Sequence, residues 1–97
     1  MLRLIKVSGH SLEPVYRDGD FVLVSKVPIL FGKLKTGDVV VLEHKAYGLM
    51  IKMVDRMDLQ ADRIYVIGLH EDSMDSRTFG PVGKKDLAGK VLYHIRA

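Results

Sequence analysis

A chain of 97 residues can build one core but not two, because a domain of this size buries only about two-thirds of its unfolded surface. Its 47% hydrophobic and 28% charged content, with Gly 9 and Pro 3, excludes disorder and fibrous repeats. Cysteine is absent, which removes a disulfide framework, a thiol nucleophile and Cys-ligated metal sites. The net charge of +3 is small and its basic residues are scattered, with Lys84-Lys85 the one adjacent pair, so no nucleic-acid face is expected. No run reaches the roughly 18 apolar residues that cross a bilayer. Charge interrupts Met1-Leu2-Arg3-Leu4-Ile5-Lys6 too early for a secretory segment. The expectation is a single cytoplasmic domain over residues 1–97.

In chain order, the first structural signal is Ser11, which can cap a single helical turn through Leu12-Glu13-Pro14-Val15. The turn Arg17-Asp18-Gly19-Asp20 then leads into a β-branched and aromatic run over residues 21–26. A second turn, Lys35-Thr36-Gly37-Asp38, precedes Val39-Val40-Val41-Leu42. Leu49-Met50-Ile51-Lys52-Met53-Val54 follows Tyr47-Gly48, and Ile64-Tyr65-Val66-Ile67 ends at Gly68. The last run spans residues 90–96, after Ala88-Gly89. Short strands at this spacing predict an all-β, mainly antiparallel fold with at most short helical turns. The longest irregular segment, residues 70–86, is long enough in so small a domain to draw attention as functional.

Ser11 is the candidate nucleophile. A serine behind a Gly-containing bend can be held exposed with free amides nearby, although a plain N-cap explains the same residues. A hydroxyl needs a base. His10 is adjacent in sequence and so points to the opposite face of an extended segment, while His44, His70 and His94 have no informative context. Lys52 differs because it stands inside an apolar strand, where desolvation would favour its neutral amine. An outward-facing lysine on an alternating strand is the competing reading. His70-Glu71-Asp72 offers possible metal ligands, but consecutive residues rarely converge on one ion and no second cluster completes a shell; no metal or cofactor is expected. Gly80-Pro81-Val82-Gly83-Lys84-Lys85 has the wrong glycine spacing for a phosphate loop.

Taken in order, five segments resemble the boxes of type I signal peptidases: Gly9-His10-Ser11-Leu12-Glu13-Pro14, Gly19-Asp20-Phe21-Val22-Leu23-Val24, Thr36-Gly37-Asp38-Val39-Val40-Val41, Ile51-Lys52-Met53-Val54 and residues 73–82. The resemblance implies the β-fold shared by signal peptidases and SOS repressor C-terminal domains, with a Ser–Lys dyad. By position Ser11 is then the nucleophile and Lys52 the general base. Ser73 matches a serine that orients the lysine, and Asp75 and Arg77 match a supporting ion pair. The oxyanion hole would use the Ser11 amide and a backbone donor at Gly9, where some relatives carry a serine. Departures are Leu12 for Met, Val15 for Thr, Met53 for Arg, and Gly68-Leu69-His70-Glu71-Asp72 for a Gly-Asp-Asn start.

Lys52 lies 41 positions after Ser11, a compactness that also resembles self-cleaving SOS and phage repressor domains. Only 10 residues precede Ser11 and the Asp75-Ser76-Arg77 signature is of the signal-peptidase kind, so the second affinity is set below the first. Short stand-alone relatives resembling nickel superoxide dismutase maturation proteases match best in length. Three expectations follow. The first is a soluble serine endopeptidase that removes an N-terminal signal or propeptide from a protein substrate bound as an extended strand. The second is a non-catalytic β-domain that binds peptides. The third is peripheral membrane contact through Val27-Pro28-Ile29-Leu30-Phe31, flanked by Lys26, Lys33 and Lys35, the alternative being core packing or a dimer contact; monomer and homodimer both stay open.

Overall fold

A computed structural model describes residues 2–70 and 73–97. Six strands form one antiparallel sheet in the order β1-β2-β6-β3-β4-β5. They are β1 (Arg3–Lys6), β2 (Phe21–Ser25), β3 (Val39–His44), β4 (Gly48–Asp58), β5 (Arg63–Ile67) and β6 (Leu87–Ile95). Helical structure among the described residues is limited to α1 (Val27–Leu30), α2 (Ser76–Phe79) and a 3-10 turn at Lys84–Asp86. The expected all-β class is what the chain adopts. The five strand runs read from the sequence are β2 to β6, each shifted or lengthened at its ends.

β1 was not foreseen. It is a short, largely exposed edge strand whose charged ends, Arg3 and Lys6, hide it, and it pairs with β2 from Arg3–Val24 to Lys6–Phe21. The turn at Ser11 forms, with Leu12 accepting from the amides of Val15 and Tyr16, but it does not extend to a helix.

Alternation along β3 divides the core. Val40 and Leu42 enter a cluster with Ile29, Leu34, Val54, Ile64, Val66, Val82 and Leu87. Val41 faces the other way and joins Val7, Leu12, Val22, Val24 and Ile51. The central strands β3, β4 and β6 therefore contribute side chains to both clusters, one on each side of the sheet. Register shifts at Leu23/Val24, Val41/Leu42 and Val54/Arg56 bend the sheet locally, as extra residues in one strand do. The apolar segment at residues 27–31 divides its loyalties: Ile29 is buried in the core, while Leu30 and Phe31 are 67% and 73% exposed. No helix among the described residues is long and apolar enough to cross a membrane.

Candidate active site

Four chain segments meet at one end of the sheet. Leu12, 1% exposed, plugs the second core cluster and so pins the turn that carries Ser11. The backbone carbonyl of Ser11 accepts from the Leu69 amide at 2.7 Å, which ties that turn to the chain leaving β5. Lys52 stands opposite Val40 in the β3–β4 ladder and thus projects on the side of Val40 and Val54. The fourth segment, residues 73–75, is held by Asp75.

Lys52 is 3% exposed, and its Nζ donates to Ser11 Oγ at 2.6 Å. Burial removes water from the ammonium and pushes the amine below its usual value of 10.5. The Asp75 charge acts against that shift, and the Arg77 charge acts with it. Once the amine is neutral the bond reverses, and the serine hydroxyl donates to nitrogen. Ser11 is thus not merely capping a turn: no amide donor to its hydroxyl occurs among the described residues, and its partner is the lysine.

Asp75 is fully buried beneath the pair. Its carboxylate accepts from the Gly68 amide at 2.9 Å and from the Arg77 amide at 3.0 Å. Arg77 Nη2 and Nε donate to it at 2.7 and 3.0 Å, and the same Nη2 reaches the His70 carbonyl at 2.8 Å. Burial alone would raise the Asp75 carboxyl. The Arg77 side-chain hydrogen bond, the two backbone amides and the Arg77 charge together hold it below the ordinary range. Asp75 also caps α2. The carboxylate therefore fixes the chain just after β5 and the start of α2, and the Arg77 it holds fixes the His70 carbonyl.

Gly68 is a functional position that the strand reading passed over as a terminator. A Cβ there would lie 2.5 Å from Ser11 Oγ, 2.6 Å from Ser73 Cβ and closer still to Ser73 Oγ. Only a residue without a side chain lets the two hydroxyls face each other across this gap. Ser73 lies beside Ser11 and makes no hydrogen bond to Lys52 among the described residues, so the orienting contact expected of it is not formed here. A pocket of about 300 Å³ opens over the pair, lined by His10, Ser11, Glu13, Lys52, His70, Ser73 and Met74.

The expected oxyanion donor at Gly9 is corrected. Its amide already donates to Asp18 Oδ1 at 2.9 Å, and its φ of 93° turns the chain ahead of the serine. The Ser11 amide, by contrast, has no acceptor among the described residues. His10 turns away from the serine to Glu13, at 2.8 Å. That hydrogen bond, followed by the Glu13 charge, raises the His10 pKa. His94 is occupied by Asp20 at 2.6 Å and stacks on Tyr16, while His44 packs against Phe79 with the two rings tilted by 44°. Of the sequence His70-Glu71-Asp72, His70 lines the pocket, and Glu71 and Asp72 lie outside the described residues.

An antiparallel sheet that presents a serine against a buried amine is the frame of a serine peptidase-like domain. Comparison with known families identifies which: the chain belongs to the Peptidase S24-like family, whose description matches residues 1–92. No curated protein matches it.

Proposed function

We propose that the chain is a serine endopeptidase working through a Ser11–Lys52 dyad, in a single domain over residues 1–97. The 2.6 Å approach of a buried amine to the Ser11 hydroxyl carries this reading. The neutral Lys52 amine takes the Ser11 proton as Oγ bonds to the scissile carbonyl carbon, giving a tetrahedral oxyanion near the Ser11 amide. Collapse breaks the C–N bond, and Lys52 returns the proton to the leaving amine. Water then attacks the ester, giving its proton to Lys52, and the acid is released with Ser11 restored.

The substrate we assign is a protein whose N-terminal signal or propeptide lies extended beside the site, so that main-chain bonds set its register. The ordered likeness to signal peptidase boxes supports this, with maturation of a nickel superoxide dismutase as the specific case. Self-cleavage of the repressor type is the alternative, and the family match favours keeping it in the tests. A peptide-binding domain without turnover is the third reading. The exposed Leu30 and Phe31 beside Lys26, Lys84 and Lys85 favour a peripheral contact with anionic lipid, which co-sedimentation at low salt tests.

The reaction is tested without knowing the substrate by p-nitrophenyl acetate, which acylates an activated serine and shifts the intact mass by one acetyl group. Wild type should acylate at Ser11, and Ser11→Ala and Lys52→Ala should not while remaining folded. Acylation that persists at the same rate in Lys52→Ala overturns the dyad. Acylation without cleavage of any propeptide, or of the chain itself, leaves the endopeptidase reading defeated.

A further inference from the structure

Two hollows flank the catalytic pair, and their linings differ. The groove between β1 and the start of β4 measures about 170 Å³ and is walled mainly by apolar side chains, among them Ile5, Val7, Val41, Leu49 and Ile51. Strand edges are open there: among the described residues β1 pairs with β2 alone, and β4 meets β5 only from Met53 onward. Neither Ser11 nor Lys52 lines that groove. Both line the other hollow, where His10, Glu13 and His70 supply polar walls.

A peptide that crosses the pair puts one half in each hollow. The leaving nitrogen takes its proton from Lys52, so it has to come within hydrogen-bonding reach of that amine. Of the two hollows, the pocket over the pair is the one that contains Lys52. The leaving half of the substrate therefore occupies this pocket, and the propeptide half lies in the groove.

Glu13 is the acidic residue of the pocket lining. The turn pinned by Leu12 fixes its backbone, and the Glu13 amide donates to the His10 carbonyl at 3.2 Å. His10 Nδ1 donates to Glu13 Oε2 at 2.8 Å, which holds the carboxylate at the wall. Oε1 has no donor among the described residues, and the side chain is 35% exposed. A carboxylate accepts about four hydrogen bonds, so an open acceptor faces the space that the leaving residue fills. The charges that shift Lys52 are those of Asp75 and Arg77, not that of Glu13. Glu13 is thus placed to read the substrate rather than to tune the base.

We propose that Glu13 sets the leaving-side specificity of the peptidase by selecting a lysine or arginine side chain on the residue whose amine is released, with His10 as the residue that positions it. The inference rests on the endopeptidase reading of Ser11 and Lys52. An ammonium or guanidinium donates to Oε1 and meets a negative charge, whereas an acidic side chain is repelled. Because the carboxylate is partly exposed and screened, the preference is modest, about fivefold.

Acyl transfer tests this without the natural substrate. p-Nitrophenyl acetate loads an acetyl group on Ser11, and an added amino-acid amide then competes with water for it. The α-nitrogen bonds to the ester carbon and its proton passes to Lys52. The bond to Ser11 Oγ then breaks, and Oγ recovers a proton from Lys52. At about pH 8.5 the α-amine is largely neutral while a lysine side chain is still charged. Lysinamide should be acetylated at its α-nitrogen about five times faster than the uncharged norleucinamide, after subtraction of the transfer seen with Ser11→Ala. Glu13→Gln should bring that ratio to within about twofold of unity, and Glu13→Lys should favour the α-amide of glutamate over norleucinamide, both at an unchanged melting temperature. A wild-type ratio near unity, or a preference that Glu13→Gln leaves intact, overturns the proposal while the dyad stands. A wild type that forms no acetyl-enzyme overturns the peptidase reading and this one with it.

Discussion

Replacing Gly68 by alanine adds one carbon to the floor of the active site. Its backbone is not in the left-handed region, so the whole effect comes from the new Cβ. That carbon would sit 2.5 Å from Ser11 Oγ, about an ångström inside the 3.4 Å at which ordinary contact begins. The two serine hydroxyls can swing to other staggered positions at small cost, but Ser11 then leaves Lys52. Ser73 Cβ, at 2.6 Å, cannot swing and must shift with its backbone. Overpacking of this kind costs about 1–3 kcal/mol of stability. Displacing a reacting atom by an ångström costs about a hundredfold in rate. The p-nitrophenyl acetate burst should therefore slow about a hundredfold in Gly68→Ala, with ester binding little changed and the fold retained. A folded Gly68→Ala that acylates within threefold of wild type would refute the close packing of Ser11, Gly68 and Ser73.

Two further outcomes concern stability. Lys52→Met removes a buried amine whose charged form is disfavoured, so it should abolish acylation yet raise stability at neutral pH by about 1 kcal/mol, as active-site exchanges often do; chemical denaturation reads this, and a loss of stability would contradict it. Asp20 is held down to about 2 from 3.8 by the amides of Ala97 and Arg17 and by His94. A depressed carboxyl stabilises fully above its unfolded value and loses that contribution as pH falls through the folded one. Asp20→Asn should therefore flatten the decline in melting temperature between pH 3.8 and about 2, and an unchanged slope would count against the assignment.

Much of the sheet was readable because β2 to β5 are β-branched runs bounded by Gly and Asp turns, where local preference and tertiary demand agree. β1 escaped because an edge strand needs no apolar face on both sides, and Arg3 and Lys6 break its pattern. Strand order and the bulges at Leu23/Val24 and Val41/Leu42 have no local signature; they follow from packing two cores on opposite sides of one sheet. At the site, Ser11 and Lys52 carried signals of their own, a Gly bend and a lysine in an apolar run. The inward direction of Lys52 could be argued from alternation against Val54, two residues on. Gly68 read only as a strand end, because the hydroxyls that require its small size come from positions 11 and 73. Gly9 was misjudged for the converse reason: the carboxylate that occupies its amide belongs to Asp18, nine residues away.

Everything chemical rests on Lys52 losing its proton within reach of Ser11. Isotopic labelling of the lysine side chains and titration by NMR follows that amine directly, with Lys52→Arg to assign the resonance. The account predicts a midpoint clearly below 10.5, with the acylation rate of wild type rising through the same midpoint. A Lys52 midpoint at or above 10.5, or a rate that does not follow it, would contradict the account.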